Sequence, residues 1–420
     1  MHIEINQSVL SAMLAQLAPI ADRKSTMPAL SHIHLSADKV DIAAGSLTLT
    51  ANDLETGLQF VTSDITVHEP GAILLPGKKL HEIVREMPSK PITIQHNPEN
   101  NRTVFTCGAT RFELSGLSPE DFPLPADTAD VSMEAFDKNV LHGLITHTSF
   151  AASTSDSRLN LNAVCLFQDV FAEQVTSDDA TGDTTLNASC LRAVATDGHR
   201  LANAATKSDS LPTIVLALIP LVGAEQVRKF LEKSNASNTV EFGKTDKLIM
   251  VRSVNETGST TATLSIRLLD GTFPDVDKVI PKTESRAVVT MDKTELVKSI
   301  KRVALLAEQR LPGIRLVFEN NTCKLLSQSA DLGTAQDEVA CDWNGEAIEM
   351  IVNADYLLDG LNHIDDTTVT LTLHSDGAPV ILKGKRQDGK VIDGGADSAD
   401  RDKNKTGEIS HFNLVMPMRK

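Results

Sequence analysis

Aromatic residues are scarce in this sequence: 420 residues hold one Trp (Trp343) and one Tyr (Tyr356). Its cores must therefore be built from Leu, Ile, Val, Ala and Phe. The five cysteines (Cys107, Cys165, Cys190, Cys323, Cys341) are odd in number, widely spaced and contain no C-x-x-C pair. That excludes a disulfide framework and a thiolate zinc site, and points to reduced thiols in a cytosolic protein. The start, MHIEINQ, has neither a charged n-region nor an apolar h-region, so no secretory signal is expected. The longest apolar run, residues 214–224, is interrupted by Pro220 and is too short to span a bilayer. A cytoplasmic protein without a membrane partner is expected. An excess of basic residues is also missing: 40 Lys and Arg face 56 Asp and Glu, a formal charge of −16. Any contact with nucleic acid must then be confined to a local surface.

What the chain does contain is a repeat of roughly 145–150 residues, visible in pattern rather than identity. Three amphipathic helices are predicted from apolar residues at i, i+3, i+4 and i+7. Their faces are Leu10, Met13, Leu14 and Leu17; Leu141, Leu144, Ile145 and Thr148; and Leu296, Ile300, Val303 and Ala307. Short alternating strands follow each, and then a second helix over residues 77–87, 219–233 and 354–364. Each block closes on an apolar residue followed by proline, at Phe122-Pro123, Phe273-Pro274 and Met416-Pro417, spaced 151 and 143 residues apart. The pattern predicts three copies of one α+β domain, over 1–127, 128–283 and 284–420. Residues 171–189 and 384–408 are polar, rich in Gly, Asp, Ser and Thr, and are expected to be exposed loop insertions.

The run Ala195-Thr-Asp-Gly-His-Arg-Leu-Ala202 matches the signature of bacterial DNA sliding clamps, the beta subunit of DNA polymerase III. Further matches follow in order: Thr26-Met-Pro-Ala-Leu30, Pro76-Gly-Lys-Lys79, Arg158-Leu-Asn-Leu-Asn162, Gly271-Thr-Phe-Pro-Asp275, Asn353-Ala-Asp-Tyr-Leu-Leu358 and Val415-Met-Pro-Met-Arg419. The chain resembles this family throughout, apart from the two insertions. The resemblance implies a clamp fold of three repeated domains. Two chains would form a homodimeric ring, with helices lining the hole and antiparallel sheets outside. It implies a non-catalytic processivity factor whose partners are double-stranded DNA, the replicative polymerase and the clamp loader. No cofactor and no metal are implied.

The resemblance also implies a hydrophobic peptide groove. Carried over by position, it takes Leu161, Thr196, Gly198, His199, Arg200 and Leu201, then Pro274, Lys278 and Val279. The third block adds Tyr356, Pro379 and Val380, and the last residues Leu414, Met416, Pro417, Met418 and Arg419. Flexible, polarisable Met suits a pocket that must accept several ligands. Val276 stands where the family often has an aromatic residue, and Asp277 and Lys278 replace a more basic pair, which leaves the peptide preference open.

Sequence-independent grip on DNA needs Lys and Arg aimed at phosphates. The candidates are Lys298, Lys301 and Arg302 on the third block's first helix, and Lys78, Lys79, Arg85, Arg228 and Lys229 on two of the second helices. By resemblance, Arg23 and Lys24 form a basic loop. Two other classes of function compete: a metal-dependent hydrolase using Asp197 and His199, and a scaffold that does not hold DNA.

Overall fold

The computed structural model describes the chain except for residues 22–26, 40–44, 126–130, 156–157, 176–183, 208–215, 234–237, 256–259, 309, 311, 376, 386–408 and 419–420. The chain falls into two compact units. Met1–Lys138 with Lys229–Leu268 make the first, and Asn139–Arg228 with Leu269–Lys420 the second.

Among the described residues six α-helices follow the predicted pairs: α1 (Gln7–Ala21), α2 (Gly77–Glu86), α3 (Lys138–Thr146), α4 (Leu221–Lys233), α5 (Lys293–Ala304) and α6 (Ala354–Asn362). Leu10, Leu14 and Leu17 of α1, Leu141 and Leu144 of α3, and Leu296, Ile300 and Val303 of α5 are all buried, as their spacing requires. The ends are tighter than the apolar pattern suggests. Thr148 lies beyond α3 and donates its hydroxyl to the Leu144 carbonyl at 2.7 Å, satisfying an acceptor that the helix end leaves open. Ala307 likewise lies beyond α5, and Ile219 belongs to a strand, Ala217–Pro220.

In the first unit a five-stranded sheet runs Ile65–Glu69, His2–Asn6, Pro91–Asn97, Arg102–Cys107, Thr110–Ser115. An eight-stranded sheet joins Met133–Asp137, Thr239–Lys244, Leu248–Val254 and Thr260–Arg267 to Thr56–Thr62, Gly45–Asn52, His32–Lys39 and Gly71–Pro76. Four strands of the second block thus continue a sheet of the first, through antiparallel pairing of Ala262–Ile266 with Phe60–Thr56.

The second unit is built the same way. Its eight-stranded sheet runs Ala217–Pro220, Ala163–Val175, Thr184–Thr196, Arg200–Lys207, then Ile409–Val415, Val380–Lys385, Thr368–Leu373, Ala287–Asp292. A four-stranded sheet holds Gly333–Ala340, Thr322–Ser329, Gly313–Glu319 and Ile348–Asn353. Cys107, Cys165, Cys190 and Cys323 are buried and Cys341 is half-buried. Among the described residues no helix is long and apolar enough to cross a membrane.

The expected loop over 171–189 needs correction. The main chain of Phe171–Val175 pairs with Ala188–Thr184, so a long hairpin continues well into the polar segment. Composition misled here because strand preference depends on pairing context more than on hydrophobicity, and Val and Thr suit a ladder. Gly384 and Lys385 also belong to a strand; the rest of the second insertion lies outside the described residues.

The first unit turns on one close approach. Gly77 opens α2 directly after Pro76, and a Cβ there would sit 2.7 Å from the Ala21 Cβ and 3.1 Å from Ile33. The Gln7 side chain ties the same two helices by donating to the Val84 carbonyl at 2.8 Å. Gly77→Ala should therefore destabilise by about 1–3 kcal/mol through overpacking, despite alanine's better helix propensity. Urea denaturation checks this; an unchanged or raised midpoint would contradict it.

Candidate functional site

The eight-stranded sheet of the second unit carries the predicted signature at one end. Strand Thr184–Thr196 turns sharply into Arg200–Lys207, with Gly198 at φ +90, a left-handed conformation that glycine adopts without strain. Asp197 builds this turn: its Oδ1 accepts from the backbone amides of His199 (2.9 Å) and Arg200 (3.0 Å). Thr196 supports it by accepting from the Gly198 amide at 3.1 Å and donating to the Arg200 carbonyl at 2.6 Å.

Antiparallel pairing then sets Arg200 opposite Val415 and Leu201 opposite Leu414. Beyond the strand, the Met416 amide donates to the His199 carbonyl at 2.9 Å and the Met418 amide to Ile351 at 2.8 Å, while Pro417 bridges to Val352. Residues 416–418 thus run as a strap from the turn to the four-stranded sheet. Beside it lies an apolar cluster of Leu201, Leu414, Val276, Ile280 and Ile381, with half-buried Met416 and Phe273 against it.

A cleft of about 900 Å³ opens at the turn itself. His199, Arg200 and Tyr356 line it together with Arg158, Ser153 and Glu225. Arg200 is already neutralised: its Nε meets Asp197 Oδ2 at 3.0 Å and its Nη1 pairs with Asp359. Its guanidinium lies 4.8 Å from the centre of the Tyr356 ring, which also stacks with His199 at 6.2 Å. Burial and the nearby Asp197 carboxylate push the Tyr356 hydroxyl above its ordinary value, keeping it a neutral donor.

The remaining predicted groove residues divide. Leu161 is buried and accepts from the Ser153 amide at 2.9 Å, at the edge of the cleft. Pro379 and Val380 are buried, and Val380 belongs to the core under the third block. Pro274, Lys278 and Val279 are exposed, and Arg419 lies outside the described residues. Sequence reasoning missed Arg158, which heads a quoted motif, and Val276 and Ile280, whose burial on either side of exposed Lys278 and Val279 no periodicity announces.

The eight described residues among the predicted DNA contacts are scattered over exposed or half-buried helix faces, five of them in local ion pairs. Lys79 meets Glu82 at 2.5 Å, Arg85 meets Glu86 at 3.1 Å, Arg228 meets Glu225 at 2.8 Å, Lys298 meets Glu295 at 3.0 Å and Arg302 meets Asp337 at 2.5 Å. Arg228 also lines the cleft. Lys78, Lys229 and Lys301 stand exposed on α2, α4 and α5, and Arg23 and Lys24 lie outside the described residues.

Three family models match in sequence order: the N-terminal domain of the DNA polymerase III beta subunit over residues 1–126, its central domain over 135–275 and its C-terminal domain over 277–391. The chain belongs to the bacterial DNA sliding clamps. It is 29% identical to the beta sliding clamp of Caulobacter vibrioides over 91% of this chain and 95% of that one. The crystal structure of the DNA polymerase sliding clamp from Caulobacter crescentus superposes with a TM-score of 0.81 at 27% identity, covering all of both chains. A Pseudomonas aeruginosa sliding clamp crystallised with griselimycin gives the same score, identity and coverage. The clamp is accordingly a DNA polymerase processivity factor and a non-catalytic subunit. Asp197 spends both oxygens on its own turn and on Arg200.

Behind the cleft three histidines pack together. His363 stacks on Phe150 at 4.0 Å and its carbonyl meets His147 Nδ1 at 2.9 Å, while the His147 and His411 rings stack at 4.0 Å. Burial, reinforced by the neighbouring His147, pushes His411 down to about 3, and His147 is lowered too. Between that value and the ordinary 6.5, the unfolded chain holds a proton on this ring that the folded chain refuses. Acidification through this window therefore removes stability, and pH above it changes nothing through this group. From about pH 7.5 to about 5.5 the wild type should lose on the order of 1 kcal/mol more than His411→Phe in urea denaturation. Parallel losses in the two proteins would refute the assignment.

Proposed function

We propose that the apolar cluster and the adjoining cleft form one groove, which holds peptide segments of the replicative polymerase, the clamp loader and other clamp-binding proteins. The observation that carries this is the strap of residues 416–418 crossing the Asp197 turn, which sets Met416, Leu201 and Leu414 beside a surface that ends at Tyr356 and Arg200. The two halves suit different parts of a ligand. Apolar side chains fit against Val276, Ile280 and Met416, and main-chain polar groups fit beside Tyr356, Arg158 and the Ser153 region. Arg200, held by two carboxylates, orients Tyr356 by cation–π contact rather than taking an acidic ligand.

The three repeats, over 1–127, 128–283 and 284–420, supply three similar domains per chain. Two chains joined head to tail close into a ring, as a heterologous interface does when its rotation closes. Duplex DNA runs through the hole. Lys229 and Lys301 supply the phosphate contacts most directly, with Lys78, Lys79, Arg85, Arg228, Lys298, Arg302, Arg23 and Lys24 adding to the local positive field. The chain works in the cytoplasm, where the replication machinery it serves is found.

Light scattering on the eluting protein should give twice the chain mass of 45.3 kDa, and a monomer at micromolar concentration would overturn the ring. Removing residues 416–420 should abolish binding of griselimycin, measured by calorimetry, while the dimer persists. Unchanged affinity in the truncated protein would sink the groove assignment.

A further inference from the structure

Arg192 lies on strand Thr184–Thr196, four residues before Thr196, and its side chain is only 9% exposed. A buried guanidinium is tolerated only where acceptors satisfy its donors. Three converge on it. Nε donates to Asn203 Oδ1 at 2.5 Å, Nη2 to Asp277 Oδ1 at 2.7 Å, and Nη1 lies 3.5 Å from Asp169 Oδ2. The Phe167 ring lies 5.5 Å from the guanidinium carbon.

Two of these acceptors belong to the same sheet as Arg192, but Asp277 does not. It sits in a short 3-10 turn, Val276–Lys278, outside the sheet, with its side chain 55% exposed. On either side of it Val276 and Ile280 are buried in the cluster that contains Leu201 and Leu414. The turn's other polar contacts are local: the Val279 amide donates to Val276 at 3.0 Å, and Lys278 pairs with Asp275 at 3.1 Å. The Arg192–Asp277 pair is thus a polar tie from this turn to the sheet, and it holds the residue directly beside Val276.

We propose that Arg192 is a positioning residue for the groove: acting through Asp277, it fixes the turn that carries Val276 and Ile280 and so sets the apolar wall against which a ligand packs. This rests on the groove reading given above. The half-exposed carboxylate contributes little to global stability, because solvent screens it. Its removal frees the turn while the buried guanidinium keeps Asn203 and Asp169. The loss therefore falls on ligand binding, where a wall held loosely costs affinity.

The test uses the full chain, with griselimycin as the probe in calorimetry, on wild type, Asp277→Ala, Asp277→Glu and the 416–420 truncation. Asp277→Ala should bind about tenfold more weakly while melting within about two degrees of wild type, and Asp277→Glu should recover most of the affinity. Full affinity in Asp277→Ala, beside a truncation that no longer binds, would overturn the role of Arg192 and leave the groove standing. Binding that survives the truncation would overturn the groove and this inference with it. So would a weakening that Asp277→Glu fails to restore, since the charge would then not be the feature that matters. A large fall in melting temperature would mark Asp277 as a folding residue and equally overturn the proposal.

Discussion

The second unit depends on one main-chain ladder, the antiparallel pairing of Arg200–Thr206 with Val415–Ile409. It joins residues more than two hundred apart in sequence and makes one sheet from strands of two repeats. Backbone bonds of this kind contribute only about 0.5–1.5 kcal/mol each, yet leaving them unmade in a buried sheet costs more. The ladder's register is what places Leu201 against Leu414 and lets the chain run on past His199 as a strap. Had the register slipped by one residue, every side chain of the strand would face the other way.

The first unit carries a near copy of this junction, which makes the repeat physical rather than statistical. Asp53 Oδ1 accepts from the amides of Glu55 (3.0 Å) and Thr56 (2.6 Å), just as Asp197 accepts from His199 and Arg200. The residue after each aspartate has positive φ, Leu54 at +74 and Gly198 at +90. The Arg267 amide donates to Glu55 at 2.7 Å where the Met416 amide donates to His199. Side chains then separate the two. In the first unit Gly57 follows the turn, and Pro125 lies 3.0 Å from where its Cβ would be, so the chain fills its own junction. In the second unit Leu201 and Val276 are buried in an apolar cluster with half-buried Met416 packed against it, and a cleft opens at the same turn.

Charge shows a similar division between scaffold and use. The chain is acidic overall, and many of its helix cations are matched by a carboxylate one turn away or on a neighbouring strand. Such exposed pairs add little stability, but they lower the field that any single Lys or Arg presents.

Much was legible in the sequence by itself. The 3.6-residue spacing located α1, α3 and α5, because burying one face requires apolar residues there whatever the fold. Eight residues from Ala195 to Ala202 carried the resemblance to the family, because the run matches its signature residue for residue. Only the tertiary structure decided how strands of neighbouring repeats merge into common sheets, since main-chain pairing leaves no mark on side-chain order. It alone showed that Arg200 is spent on Asp197 and Asp359, and that residues 171–175 and 184–188 pair rather than loop. It alone brought Arg192 to Asp277, because a buried cation's partners are set by where distant strands and turns meet, which local spacing does not encode.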